Sequence, residues 1–168
     1  ADDPEGMIRQ AILLSEYGEN VYVKIPITFT SGASTVAVLR ELAERGIKVN
    51  VTAVFSREQT EKVLPVLRDA ESIISVFSGR LFDIGRDAVA DTLEVSELVH
   101  AESNCRTLWA SPRMSYDLKS AAAAGCDIIT MKTDLIKKLR LFGKTPAEYS
   151  LATVRMFHDD AVASGYIL

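Results

Sequence analysis

A lysine stands in the middle of an otherwise apolar run, Val21-Tyr22-Val23-Lys24-Ile25-Pro26-Ile27-Thr28. With the two-residue period of a strand, Val21, Val23, Ile25 and Ile27 share one face, and Tyr22, Lys24, Pro26 and Thr28 share the other. A strand set between helical patterns is normally buried on both faces and reads as continuous Val/Ile. An ammonium in such a place must be paired, or must lose its proton and become a nucleophile. Two readings follow. Either Lys24 packs its stem inside and reaches a carboxylate or water with its head, or it is a desolvated Schiff-base amine. No Asp or Glu lies on its own strand to neutralise it.

The second constellation is Asn50-Val51-Thr52. A threonine in a strand is usually only a good β-former. Beside Lys24, its hydroxyl could hold a water that shuttles protons. Ser75 and Phe77 share a face with Ile73 on the next strand. Arg80 and Arg113 follow strand ends, in Ser78-Gly79-Arg80 and Ser111-Pro112-Arg113. One such arginine is most often solvated surface, but two at equivalent strand ends, each near a serine, suit bidentate recognition of a phosphate.

Other features read as bland. Phe142-Gly143-Lys144-Thr145 resembles the end of a phosphate loop, but Lys138 occupies the place of its first glycine. His100 and His158 fall on helical patterns, and Trp109 reads as barrel filling or a pocket wall. Asp83, Asp87 and Asp91 read as loop and helix-start acids.

Alternating patterns must position these groups. Helices are expected at 4–17, 33–45, 57–69, 87–102, 113–124, 133–141 and 146–163, with strands at 20–28, 47–55, 72–78, 105–110 and 126–131. Asp3-Pro4-Glu5 reads as an N-cap, an N1 proline and a first-turn acid. Gly18, Gly46 and Gly125 sit where helices should end. Strict β-α alternation with short connections implies parallel strands, in an open doubly wound sheet or most of a (β/α)8 barrel.

Strand parity puts Val49, Val51, Ala53 and Phe55 opposite Asn50 and Thr52. It also aligns Thr107, Trp109 and Ser111 on the fourth strand, and Ile128 and Thr130 on the fifth. A barrel explains polar groups converging on an interior rim, so an α/β class with TIM-barrel architecture is expected. Five strands do not close it.

The 168 residues and 48% hydrophobic content suit one domain with a real core. A formal charge of -4 and a pI near 5.2 argue against a nucleic-acid partner. No apolar run approaches the ~20 residues of a membrane span, and no signal-peptide pattern opens the chain. Cys105 and Cys126 show no metal-like pairing, so a reduced, cytoplasmic protein is expected. Ala1 is not a methionine, as though something upstream were missing.

Five ordered segments carry a family likeness. Val23-Lys24-Ile25-Pro26-Ile27-Thr28, Asn50-Val51-Thr52 with Phe55-Ser56, and Ile74-Ser75-Val76-Phe77-Ser78-Gly79-Arg80 are followed by Ala110-Ser111-Pro112-Arg113 and Gly125-Cys126-Asp127-Ile128-Ile129-Thr130. Together they resemble the strand motifs of the transaldolase family, in its small-subunit branch with the fructose-6-phosphate aldolases. The resemblance implies a (β/α)8 barrel and a metal-free, cofactor-free class I reaction on sugar phosphates in the pentose phosphate pathway. It gives Lys24 the Schiff base and Thr52 the catalytic water. Asn50 and Ser75 match contacts to the dihydroxyacetone unit, and Arg80, Ser111 and Arg113 match the phosphate positions.

Phe77 stands where the aldolase subgroup carries a tyrosine, and Asn50 where that subgroup is apolar. Both departures favour transaldolase. The resemblance also implies that the chain starts at the third helix, with about the last five strands of the barrel in one domain spanning 1–168. The strands before it would supply an Asp, an Asn, and a Glu or Gln to hold the water. A fructose-6-phosphate aldolase and a non-catalytic truncated barrel remain as alternatives. The last helix, with Tyr149, Leu151, Val154, Phe157 and Val162, ends in Ser164-Gly165-Tyr166-Ile167-Leu168. It packs on its own barrel or, as the resemblance implies, joins a homo-oligomer.

Overall fold

The computed structural model describes residues 1–165, so Tyr166, Ile167 and Leu168 of the apolar tail lie outside the described residues. The chain divides into two compact units, Ala1–Met131 and Lys132–Leu168. The first contains α1 (Pro4–Ser15), β1 (Val23–Pro26), α2 (Val36–Glu44), β2 (Val49–Val54), α3 (Arg57–Leu67) and β3 (Ile73–Val76). It continues with α4 (Ser78–Asp83), α5 (Ala88–Glu102), β4 (Arg106–Trp109), α6 (Asp117–Ala123) and β5 (Ile128–Ile129). The second unit contains α7 (Thr133–Lys138), a 3-10 turn (Leu139–Leu141) and α8 (Pro146–Ser164). No helix among the described residues is long and apolar enough to cross a membrane.

Local chemistry starts α1, α3 and α8 and stops α2 and α6 near where the sequence indicates, whereas the helix expected over 113–124 begins only at Asp117. Asp3 accepts from the Gly6 amide (2.7 Å) with Pro4 at the first helical position. Ser56 caps α3 through Gln59, and Thr145 and Glu148 form a reciprocal capping box on α8. Such caps are worth ~1 kcal/mol each. Gly46 and Gly125 take φ of +69° and +67° past α2 and α6, a region that costs other residues ~1–2 kcal/mol.

The strands form one parallel sheet in the order β1-β2-β3-β4-β5. A doubly wound sheet reverses its order at a switch point, and this one does not. Its two faces also differ. Val23, Ile25, Val51, Val54, Ile74 and Trp109 belong to one core with the helix residues Leu39, Leu42, Val63, Leu64 and Val95. The opposite face carries a separate small cluster of Ile73, Leu108 and Ala110, flanked by Tyr22, Phe77 and Ile128, with no helical residue in it. Burial of each large aliphatic side chain in the helix-side core contributes ~1.5–3 kcal/mol, so that face holds the unit together.

Three expectations need correcting. Lys24 is exposed, between Val23 and Ile25 at 3% and 2%, because the helices cover only one face of its strand. In β2 the alternation breaks at Ala53, whose φ is +60° where the register shifts between Val51 and Val54. Val54 therefore takes the helix-facing place, and Phe55 meets the ring of Phe77 with centroids 5.7 Å apart.

In β4 the faces are the reverse of the polar reading. Thr107 is satisfied by Ser96 of α5 (3.3 Å) and Trp109 packs on Phe82 at 6.0 Å, while Leu108 and Ala110 face the other way. A hydroxyl can be satisfied by a helix, so polarity alone did not mark the face. The short α4 had no counterpart in the hydropathy pattern, because six residues give less than two turns of period.

Candidate active site

The site is assembled on the sheet face whose apolar cluster includes no helical residue among the described residues. Lys24 lies directly across from Asn50 in the β1–β2 register, and Pro26 lies across from Thr52. Neighbouring strands lie ~4.8 Å apart, which brings these side chains together. Ser75 donates its hydroxyl hydrogen to Asn50 Oδ1 over 2.6 Å, with Asn50 at 6% and Ser75 at 1% exposure. This bond uses the acceptor of Asn50 and leaves its amide hydrogens without a partner among the described residues. Thr52 is half-buried, and its carbonyl accepts from the Ile27 amide (2.9 Å), tying the strand end after Lys24 to β2. Lys24 has no hydrogen-bond or ion-pair partner among the described residues, so the reading with a paired ammonium loses its carboxylate.

The rim carries the two arginines. The Gly79 amide donates to the Ala110 carbonyl (3.2 Å), and a Cβ on Gly79 would sit 1.6 Å from the Ser111 carbonyl oxygen. Only glycine permits this approach, and it locks α4 against the loop after β4. Arg80 then lies over the Phe77 ring, 5.0 Å from its centroid. Arg113 reaches back to the Gly79 carbonyl through Nε (3.3 Å) and makes a two-point pair with the Asp83 carboxylate.

Ser111 is half-buried with φ of +58°. Left-handed non-glycine residues cluster at functional sites; of the two among the described residues, Ser111 is itself a predicted site position and Ala53 adjoins Thr52. Asp117, 1% exposed, accepts from the Arg113 and Met114 amides (2.5 and 2.9 Å) and fixes the loop from below.

Lys24, Asn50, Thr52 and Ser75 therefore share one face, and Phe77, Arg80, Ser111 and Arg113 lie at the ends of adjacent strands. Of the three basic side chains Lys24, Arg80 and Arg113, only Arg113 pairs with a carboxylate, that of Asp83, among the described residues. Sequence reasoning missed Asp83 and Asp117. Their signals were offsets, three residues after Arg80 and four after Arg113, but 80–83 reads as loop, and inside the expected helix 113–124 a spacing of four marks no more than two neighbours on a helix face.

Neither thiol belongs to the site. Burial pushes Cys126 up to about 11 and also raises Cys105. His100 pairs with Asp127 (2.9 Å) near the N-terminal ends of the strands. No group of three or more His, Cys, Asp or Glu side chains gathers to hold a metal among the described residues.

The family model described as "Transaldolase/Fructose-6-phosphate aldolase" matches residues 1–165. The chain belongs to this family. Among curated relatives, a probable transaldolase of Methanococcus vannielii is 35% identical over 138 residues, covering 82% of this chain and 61% of the relative. Others named probable transaldolase come from Nitrosopumilus maritimus (32% over 139 residues; 82% and 60% covered) and Anaeromyxobacter sp. (34% over 142 residues; 83% and 62% covered). The chain thus spans about three fifths of the length of the curated relatives it matches.

Proposed function

We propose that Lys24 is the Schiff-base nucleophile of a class I transaldolase, and that the five strands are part of a (β/α)8 barrel in a single domain. The observation that carries this reading is the register pair Lys24–Asn50, continued by the Ser75–Asn50 hydrogen bond. The consecutive strand order and one-sided helical cover support the barrel.

In the proposed reaction Nζ of Lys24 attacks the C2 carbonyl of a ketose phosphate, and loss of water gives an iminium. A water held by Thr52 takes the C4 hydroxyl proton. The C3–C4 bond then breaks, its electron pair flows into the iminium, and an aldose phosphate leaves. The remaining enamine attacks the aldehyde carbon of a second aldose phosphate. Water then adds to the new iminium and releases the product ketose, regenerating the amine. Asn50 and Ser75 would hold the hydroxyls of the dihydroxyacetone unit. Arg80 and Arg113, with Ser111, would hold the phosphate, and Phe77 would wall the site. An Asp, an Asn and a Glu or Gln expected on other strands of the barrel have no counterpart assigned here.

The measurement is release of glyceraldehyde 3-phosphate and of free dihydroxyacetone from fructose 6-phosphate, with and without erythrose 4-phosphate. Transaldolase transfers the three-carbon unit and needs the acceptor, whereas fructose-6-phosphate aldolase releases it to water. A second, non-catalytic reading rests on the exposure of Lys24 and on β1 and β5, each hydrogen-bonded on one side only. It predicts no turnover under either condition. We also place the protein in the cytoplasm as a homo-oligomer. Its oligomeric contact is supported by α8, which exposes Tyr149, Leu151, Val154, Met156 and Phe157.

A further inference from the structure

The two rim arginines are aimed by different devices. Arg80 has no acceptor among the described residues and rests on the Phe77 ring. Arg113 is held along one edge of its guanidinium. Nε donates to Asp83 Oδ1 (3.1 Å) and to the Gly79 carbonyl (3.3 Å), and Nη2 donates to Asp83 Oδ2. Nη1 has no acceptor among the described residues.

A guanidinium has five hydrogens in a rigid fork, so an acid on its Nε edge leaves its far end free to take two phosphate oxygens. Stability alone is a weak account of the pair, even with its two-point geometry. Both side chains are nearly half exposed, 44% for Arg113 and 48% for Asp83, and such surface pairs contribute little to stability.

We propose that Asp83 is a positioning residue of a phosphate subsite: it clamps the Nε edge of Arg113 so that the Nη1 end meets the phosphate of the substrate. The inference rests on the sugar-phosphate reading of the site. It differs from a role in which Asp83 merely occupies Arg113 until phosphate displaces it. In that case Asp83 competes with the phosphate, and losing its charge strengthens binding. Coulomb repulsion between a carboxylate and a phosphate points the same way. Only lost alignment of a flexible side chain weakens binding when the charge is removed.

The test is titration of the protein with inorganic phosphate, following 31P line width, in wild type, Asp83→Asn and Asp83→Glu, with thermal melting to establish that each variant folds. The clamp predicts phosphate binding to wild type, roughly fivefold weaker binding in Asp83→Asn (about 1 kcal/mol at 1.4 per decade), and recovery to within about twofold in Asp83→Glu. It is overturned if wild type does not bind phosphate, or if Asp83→Asn binds it as well as or better than wild type. Borohydride trapping of dihydroxyacetone on wild-type Lys24 runs in parallel. No adduct there, with the phosphate pattern intact, sinks the Schiff-base reading and leaves the clamp standing; an adduct without that pattern does the reverse.

Discussion

At the N-terminal ends of the strands, Glu71 accepts from the Tyr22 hydroxyl (2.5 Å) and pairs with Lys48 (2.9 Å), while Arg106 donates to the same phenol oxygen (2.7 Å). Nearby, one Asp127 oxygen takes bonds from the Thr107 amide (2.7 Å) and His100 (2.9 Å). Two residues along the same face from Tyr22, Lys24 has no such partner, and beyond the far strand ends Arg80 has none either among the described residues. One end of the sheet satisfies its charges with its own side chains. The other pairs Arg113 with Asp83 but leaves Lys24 and Arg80 without an acid among the described residues, and it adds two left-handed residues, Ala53 and Ser111. In a parallel α/β barrel the first end reads as stability and the second as chemistry.

The contrast predicts where substitutions separate stability from function. The largest combined effect is expected from Gly79→Ala, because the new methyl must displace the Ser111 carbonyl it meets at 1.6 Å. A loss of at least about 2 kcal/mol and failure to bind phosphate should appear together in thermal melts and phosphate titration. Unchanged phosphate binding would detach α4 from the subsite.

Ser75→Ala leaves the buried Asn50 Oδ1 without its donor. It should cost about 1–2 kcal/mol in urea unfolding and slow adduct formation on Lys24. A stability loss with no change in that rate would move the pair to a purely structural role. Arg80→Met should separate the two quantities in the opposite sense. Affinity for fructose 6-phosphate should fall roughly tenfold, while the melting temperature falls only slightly, because among the described residues Arg80 gives up only its place over the Phe77 ring.

The N-terminal end should behave in the reverse way, with effects on stability alone. Burial works to raise the Asp127 carboxyl, but the bonds from His100 and Thr107 outweigh it and hold the group below its ordinary value. Its contribution is therefore complete above the unfolded value near ~3.9 and is lost as pH falls through the lower folded value. Asp127→Asn should flatten that part of the melting-temperature profile below about pH 4 and leave adduct formation on Lys24 unchanged. Tyr22→Phe should give the smallest effect, a slight fall in melting temperature at low salt that shrinks as salt rises.

The site was legible in the sequence where alternation was strict. Lys24, Asn50, Thr52 and Ser75 occupy one face because β1 and the first half of β2 keep a two-residue period, and the register does the rest. Legibility failed where the backbone leaves that period. Ala53 bends β2, so Val54 is the fully buried member of the helix-side core and Phe55 only packs against it, partly buried. Six-residue α4 carries Arg80 and Asp83 too briefly for a helical pattern to register. The exposure of Lys24 could not be read from its apolar neighbours, since sequence says which face a residue shares and not what covers that face.

The central claim is that Lys24, and not another amine, forms the covalent bond. Lys48 is the internal control: Glu71 holds its ammonium (2.9 Å) at the N-terminal ends of the strands, away from the candidate site, so no adduct is expected there. Incubation with dihydroxyacetone, reduction with borohydride and peptide mapping by mass spectrometry decide between them. The account predicts a reduced adduct on Lys24 and none on Lys48. An unmodified Lys24, or equal labelling of the two lysines, would contradict it.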